Sequence, residues 1–120
     1  MTRILAVDDS TSMRQMVAFT LKAAGFDVVE AEDGRVALDL AAKEKFSLVL
    51  ADVNMPNMDG ITLVRNLRTM PDYKFTPLLM LTTESTPEKK MEGKSAGATG
   101  WLIKPFNPDQ LITTIKRVLA

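Results

Sequence analysis

The feature that most constrains this chain is a set of short apolar runs with no polar alternation, at residues 4–7, 48–51, 78–81 and 101–103. A strand with one wet face alternates apolar and polar residues. Unalternating runs of this length suit strands buried on both faces of a parallel sheet. A fifth, weaker run is Val28-Val29. The segments between the runs carry helical spacing. Met13, Met16, Val17, Leu21 and Ala24 share one face, with Phe19 off the stripe and Gly25 as a stop. Val36, Ala37, Leu40 and Ala41 form a second stripe behind Asp33, a plausible cap, and Ile61, Val64 and Leu67 a third behind Asp59-Gly60. The last stripe, Leu111, Ile112, Ile115, Val118 and Leu119, opens on Asn107, Pro108 and Gln110: a cap, a proline at the first helical position and a capping-box partner. Thr86-Pro87 announces another helix, but between Glu88 and Ala96 only Met91 is large and apolar, so that helix is expected to be exposed and loosely held.

Strand and helix thus alternate five times with short connections. The pattern predicts an α/β domain, a parallel sheet with helices on both faces joined by right-handed crossovers. At 120 residues, with no repeat, linker or low-complexity stretch, one domain is expected over 1–120. Lysine plus arginine balances aspartate plus glutamate at 15 each, which gives no reason to expect nucleic acid or an anionic membrane surface as a partner. Acids at Asp8-Asp9 follow too short an apolar run for a signal peptide, and no stretch is long enough to span a bilayer, so a cytoplasmic protein is expected. There is no cysteine and no histidine. Disulfides and thiolate or imidazole metal sites are excluded, and the chain cannot be its own phosphohistidine donor.

The polar residues that follow the apolar runs carry the chemistry. Val7 precedes Asp8-Asp9, Ala51 precedes Asp52, Leu81 precedes Thr82-Thr83, and Ile103 precedes Lys104-Pro105. Singly, each has an ordinary explanation as a cap, a solvated turn or a surface charge. In a parallel sheet, however, the carboxyl ends of the strands lie along one edge, where open α/β sheets place their sites. Two carboxylates roughly 5 Å apart repel by about 3 kcal/mol at an effective dielectric of about 20, so three together call for a cation. Hard oxygen donors favour magnesium, with manganese as a substitute, over zinc or copper. A carboxylate beside such a cation, with a lysine and a hydroxyl in reach, is equipped to take a phosphoryl group as an acyl phosphate.

Four motifs in order, Ile4-Leu5-Ala6-Val7-Asp8-Asp9, Asp52-Val53-Asn54-Met55-Pro56-Asn57-Met58-Asp59-Gly60, Leu81-Thr82 and Lys104-Pro105-Phe106, resemble the response-regulator receiver domain over the whole chain, and within it the stand-alone chemotaxis regulators. The resemblance implies a flavodoxin-like (β/α)5 fold with strand order 2-1-3-4-5. It implies Asp52 as phosphoacceptor, Asp9 as direct magnesium ligand, Asp8 as a ligand through water, and the Asn54 backbone carbonyl as a further ligand. It implies Thr82 and Lys104 as partners of the phosphoryl group, a cis Lys104-Pro105 bond, and Asn54 and Glu84 as tuners of hydrolysis. Trp101 stands at the family's aromatic switch position, which usually holds tyrosine, phenylalanine or histidine; the bulkier indole is expected to restrict an inward swing. The implied function is two-component signalling, in chemotaxis, by a monomer that catalyses only its own phosphorylation and dephosphorylation. The donor is a histidine kinase or histidine phosphotransfer domain, with a phosphorelay role as the alternative. The readout is a partner protein at helix 4, strand 5 and helix 5.

Other classes fit less well. Phosphohydrolases with a nucleophilic aspartate typically carry a second acid two residues on, and Asn54 cannot do acid–base work. A flavin carrier of this architecture needs a phosphate loop, but Asp8-Asp9 would repel the phosphate and no glycine admits it beside Ser10-Thr11-Ser12. A receiver that docks without phosphorylation would not need the complete acid set.

Overall fold

The structure, a computed structural model, describes residues 2–120; Met1 lies outside them. Five parallel strands, β1 (Arg3–Val7), β2 (Asp27–Ala31), β3 (Leu48–Ala51), β4 (Leu78–Thr82) and β5 (Gly100–Ile103), form one sheet in the order β2-β1-β3-β4-β5. Between and after them run α1 (Thr11–Ala23), α2 (Gly34–Lys43), α3 (Gly60–Arg68), α4 (Pro87–Ala96) and α5 (Pro108–Leu119). This is the α/β flavodoxin-like architecture and strand order expected from the sequence.

Why the inner strands are apolar throughout follows from the two cores. Leu5, Val7, Val49, Ala51 and Met80 point to one side of the sheet and pack under α2 and α3. Ile4, Ala6, Leu48, Leu50, Leu79 and Leu81 point to the other side, under α1 and α5. Successive strand residues face opposite sides, so a sheet covered on both faces needs an apolar residue at every position. The edge strands β2 and β5 are only partly covered.

Each helix begins where a side chain accepts a backbone N–H that the helix leaves without a partner: Ser10 from Met13, Asp33 from Val36, Asp59 from Thr62, Thr86 from Lys89 and Asn107 from Gln110. Such caps contribute about 1 kcal/mol each. The caps expected at Asp33 and Asn107 are therefore present. The Gln110 side chain, however, makes no reciprocal bond to Asn107 among the described residues, so the capping box is half formed. On α1 the expected face is corrected. Val17, Ala18 and Leu21 are buried, whereas Met16 is 54% exposed and Ala24 lies at the surface beyond the helix. Successive residues turn by about 100° around a helix, and Met16 lies on the side of Val17 away from Leu21 and Ala18, so it falls outside the buried arc. α4 buries only Gly93 and Ala96, and Met91 is exposed, as its composition predicts.

Two side chains tie the far end of the molecule together. The Tyr73 hydroxyl, fully buried, accepts from Phe46 N (3.3 Å) and lies within donating distance of Ala41 O (2.9 Å) and Glu44 O (2.7 Å). Burial raises the pKa of this phenol above its ordinary value. The Arg68 guanidinium has no carboxylate partner among the described residues. It donates instead to the carbonyls of Gly97 (2.9 and 2.8 Å), Tyr73 (2.7 Å) and Thr76 (2.7 Å), joining α3 to the segment before β4 and to the end of α4. Replacing Tyr73 by phenylalanine leaves the Phe46 N–H and a carbonyl buried without a partner. Tyr73→Phe is expected to lower stability by about 1–3 kcal/mol with the fold retained, as measured by urea denaturation.

Candidate functional site

The backbone places the site residues before any side chain does. Asp8 N donates to Ala31 O (3.1 Å), Asp52 N to Val7 O (3.0 Å) and Lys104 N to Thr82 O (2.9 Å). Each of these residues lies one step past its strand yet remains hydrogen-bonded to the neighbouring strand. Their side chains consequently converge at the carboxyl edge of the sheet. Behind Asp52, Gly60 leaves the space that a side chain would need: a Cβ there would collide with the Asp52 carbonyl.

Asp8, Asp9 and Asp52 offer oxygens that all lie within 4.8 Å of one another. Asp8 and Asp52 are buried, at 5% and 9% exposure, while Asp9 faces solvent. Two of the three charges are met by Lys104, whose Nζ stands 2.6 Å from Asp8 Oδ2 and 3.0 Å from Asp52 Oδ2. Burial alone would lower the pKa of this ammonium; its hydrogen bonds and charge attraction to Asp8 and Asp52 outweigh burial and raise it above the ordinary lysine value. The remaining carboxylate oxygens are held by backbone: Ser10 N donates to Asp8 Oδ1 (2.9 Å) and Val53 N to Asp52 Oδ1 (2.7 Å). Three carboxylates against one ammonium leave a net negative, all-oxygen site open on the Asp9 side. That donor set fits a hard divalent cation.

Around this cluster, Thr82 is fully buried and its Oγ1 accepts from Glu84 N (3.1 Å). Glu84 is a junction. Its carboxylate accepts from Asn54 Nδ2 (3.3 Å), and its carbonyl accepts from Trp101 Nε1 (2.8 Å). The Trp101 indole reaches over Gly93 of α4, where a Cβ would lie 2.5 Å from its Cζ3. The Lys104-Pro105 bond is cis. All the residues singled out in the sequence therefore lie in one region: the carboxylates and Lys104 in direct contact, with Thr82, Glu84, Asn54 and Trp101 joined to one another beside them. The sequence reading did not single out Arg14. Its Nη1 donates to Asp8 O (2.8 Å) while its Nε pairs with Glu30 (3.1 Å), bracing the loop that carries Asp8 and Asp9. The available signal was its position one helical turn after the Ser10 cap, which aims it back at the strand end.

Two outcomes follow from this geometry. Asp9→Asn relieves repulsion that Lys104 does not meet, so it is expected to raise the urea midpoint in cation-free buffer. The gain is at most about 1 kcal/mol because Asp9 is exposed. The same substitution is expected to remove the further stabilisation that millimolar magnesium gives the unsubstituted protein. Gly93→Ala places a methyl group where the indole ring now packs. The ring is expected to move into solvent, shifting the emission of Trp101, the sole tryptophan, to longer wavelength.

With the geometry established, comparison with known proteins is direct. The response regulator receiver domain family matches residues 4–116. The chemotaxis protein CheY-3 of Vibrio cholerae is 38% identical over 117 residues, which span 97% of this chain and 90% of that protein. The transcriptional regulatory protein SrrA of Staphylococcus aureus is 34% identical over 116 residues, 97% of this chain but 47% of SrrA. The crystal structure of the V. cholerae chemotaxis protein CheY4 superposes with a TM-score of 0.95 at 58% identity and 98% coverage of both chains. A sheet in the order 2-1-3-4-5, an acid cluster at its carboxyl edge and this coverage lead to one conclusion: the chain belongs to the response regulator receiver domain family of two-component signalling and is similar to the chemotaxis regulators within it.

Proposed function

We propose that this chain is a phosphorylation switch that receives a phosphoryl group on Asp52 and passes the signal on by binding another protein. The observation that carries the reading is the Asp52 carboxylate itself: buried, within 4.8 Å of two further acids, and already paired with an ammonium. The donor is the phosphohistidine of a histidine kinase or a histidine phosphotransfer domain. An Asp52 oxygen attacks phosphorus, the phosphorus–nitrogen bond breaks, and an acyl phosphate forms while the histidine is released. Asp8, Asp9, Asp52 and the Asn54 carbonyl would hold magnesium, or manganese in its place, which supplies neutralising charge for the phosphoryl oxygens. Water later hydrolyses the acyl phosphate. The chain turns over no separate substrate and in that sense is not an enzyme.

The side chains supply the switching. Lys104 is positioned to transfer its ammonium from the free carboxylates to the phosphoryl oxygens. The Thr82 hydroxyl, turning to donate to the same group, gives up the Glu84 N–H it now accepts. The new group brings about −1.5 to −2 of charge. Loss of the Thr82 contact loosens Glu84, and with it the links to Asn54 and Trp101. The readout surface is α4, β5 and α5. Support for it comes from exposed Met91 and Ile103 and from a cleft of about 350 Å³ between α4 and β5, lined by Lys90, Lys94, Thr99 and Trp101. The names of the relatives CheY-3 and CheY4 favour a role in chemotaxis. No helix among the described residues is long and apolar enough to cross a membrane, which agrees with a donor and target met in the cytoplasm.

The test is phosphoryl incorporation from a small phosphodonor such as acetyl phosphate, with magnesium, read by intact-protein mass spectrometry. The unsubstituted protein is expected to gain one phosphoryl group, and Asp52→Asn none. Equal incorporation by Asp52→Asn would overturn the assignment.

A further inference from the structure

The Asn54 carbonyl, a ligand in the proposed cation site, belongs to the loop that follows Asp52, and the shape of that loop decides where it points. Its ends are tied: Val53 N bonds to Asp52 Oδ1, and Gly60 N to Val53 O (2.9 Å). Its middle is a tight three-residue turn in which Met58 N donates to Pro56 O (2.7 Å) across Asn57. Asn57 has φ 67°, and it is the only non-glycine residue with positive φ among those described. An i to i+2 turn with positive φ is the rarer and more strained of the two γ-turns, and left-handed backbone costs an ordinary residue about 1–2 kcal/mol. Asparagine is among the few residues that tolerate positive φ, because its short polar side chain can form a hydrogen bond that holds the turn.

The structure provides one candidate. Asn57 Nδ2 donates to Asp33 Oδ2 at 2.8 Å. Asp33 is buried at 5% exposure, and its other oxygen accepts Val36 N (2.9 Å) as the cap of α2. Capping needs one oxygen, and serine or threonine would supply it. The second oxygen has the loop as its partner. Hydrogen bonds from Val36 and then Asn57 hold the Asp33 carboxyl below its ordinary pKa, so the acceptor is charged at neutral pH and the bond is charge-assisted.

We propose that Asp33 and Asn57 are a positioning pair for the cation site: their hydrogen bond fixes the positive-φ turn at Asn57, and thereby sets the loop from which the Asn54 carbonyl would reach a cation held by Asp8, Asp9 and Asp52. The proposal rests on the cation-binding reading given above. Neither residue touches the cation. Without the bond the turn relaxes toward right-handed backbone, and the loop presents its carbonyl in only a fraction of molecules. Apparent affinity falls by that fraction. Magnesium and manganese, which demand near-octahedral ligands, are sensitive to such a loss.

The experiment is titration of the protein with manganese(II), followed by the electron paramagnetic resonance signal of the free ion. Asn57→Ala and Asp33→Ser, the latter retaining the α2 cap, are each expected to weaken manganese binding about tenfold, the low end of what losing an outer partner costs. Asn57→Gly is expected to lose less, because glycine adopts positive φ unaided, and adding Asp33→Ser to Asn57→Gly to change nothing further. A urea denaturation curve of each cation-free variant confirms that it is folded. Asn57→Ala and Asp33→Ser binding within about twofold of the unsubstituted protein, while Asp9→Asn loses binding, would overturn the positioning pair alone. If the unsubstituted protein bound no manganese, or Asp9→Asn bound it equally well, the cation-site reading would fail and the pair with it.

Discussion

Everything at the functional edge depends on one ammonium placed between two carboxylates. Lys104 bridges Asp8 and Asp52 at hydrogen-bond distance, and both acids are buried. Were the lysine absent, the acids would have to spread apart, take up protons or bind a cation permanently. Its presence lets the domain fold with the acids in contact, yet the arrangement is provisional. An ammonium on a flexible stem can be drawn to a more highly charged partner without disturbing the sheet beneath it. The backbone bonds that hold Asp8, Asp52 and Lys104 to adjacent strands make this possible, since they keep the three residues in register whichever partners their side chains choose.

A second dependence runs through Glu84. This residue uses its N–H, its carbonyl and its carboxylate on three different partners, Thr82, Trp101 and Asn54. Two of those partners belong to the strand ends or the loop that form the site, and the third belongs to β5 and lies over α4. The indole, bulkier than the aromatic usual at this position, packs against α4 where the helix has a glycine opposite it. Its single donor is spent on a backbone carbonyl.

What could be read from the sequence follows from where polar atoms find partners. β1, β3 and β4 were legible because two covered faces require apolar residues at every position; β2 was faint because its edge position admits Asp27 and Glu30. The site was legible because each reactive residue lies at or just past the carboxyl end of a strand, and strand ends share an edge. Interactions that use carbonyls were not legible, since any residue can supply one. The Arg68 contacts, the Trp101 bond to Glu84 and the Tyr73 bonds to α2 are all of this kind. Met16 was misplaced because periodicity identifies a helix face but not which flank of that face is covered. Asp33 was read correctly as a cap, but its second oxygen has a partner 24 residues away that no local pattern announces.

Arg68 gives the least compact helix its mechanical character. Its guanidinium grips the Gly97 carbonyl twice, at the carboxyl end of α4, and anchors it to α3 and to the segment before β4. At the opposite end, Pro87 and Glu88 are exposed, and the helix buries nothing before Gly93. The two ends of α4 are therefore held by different kinds of contact: the carboxyl end by an arginine that reaches across from α3, the amino end only through the chain that joins it to Glu84.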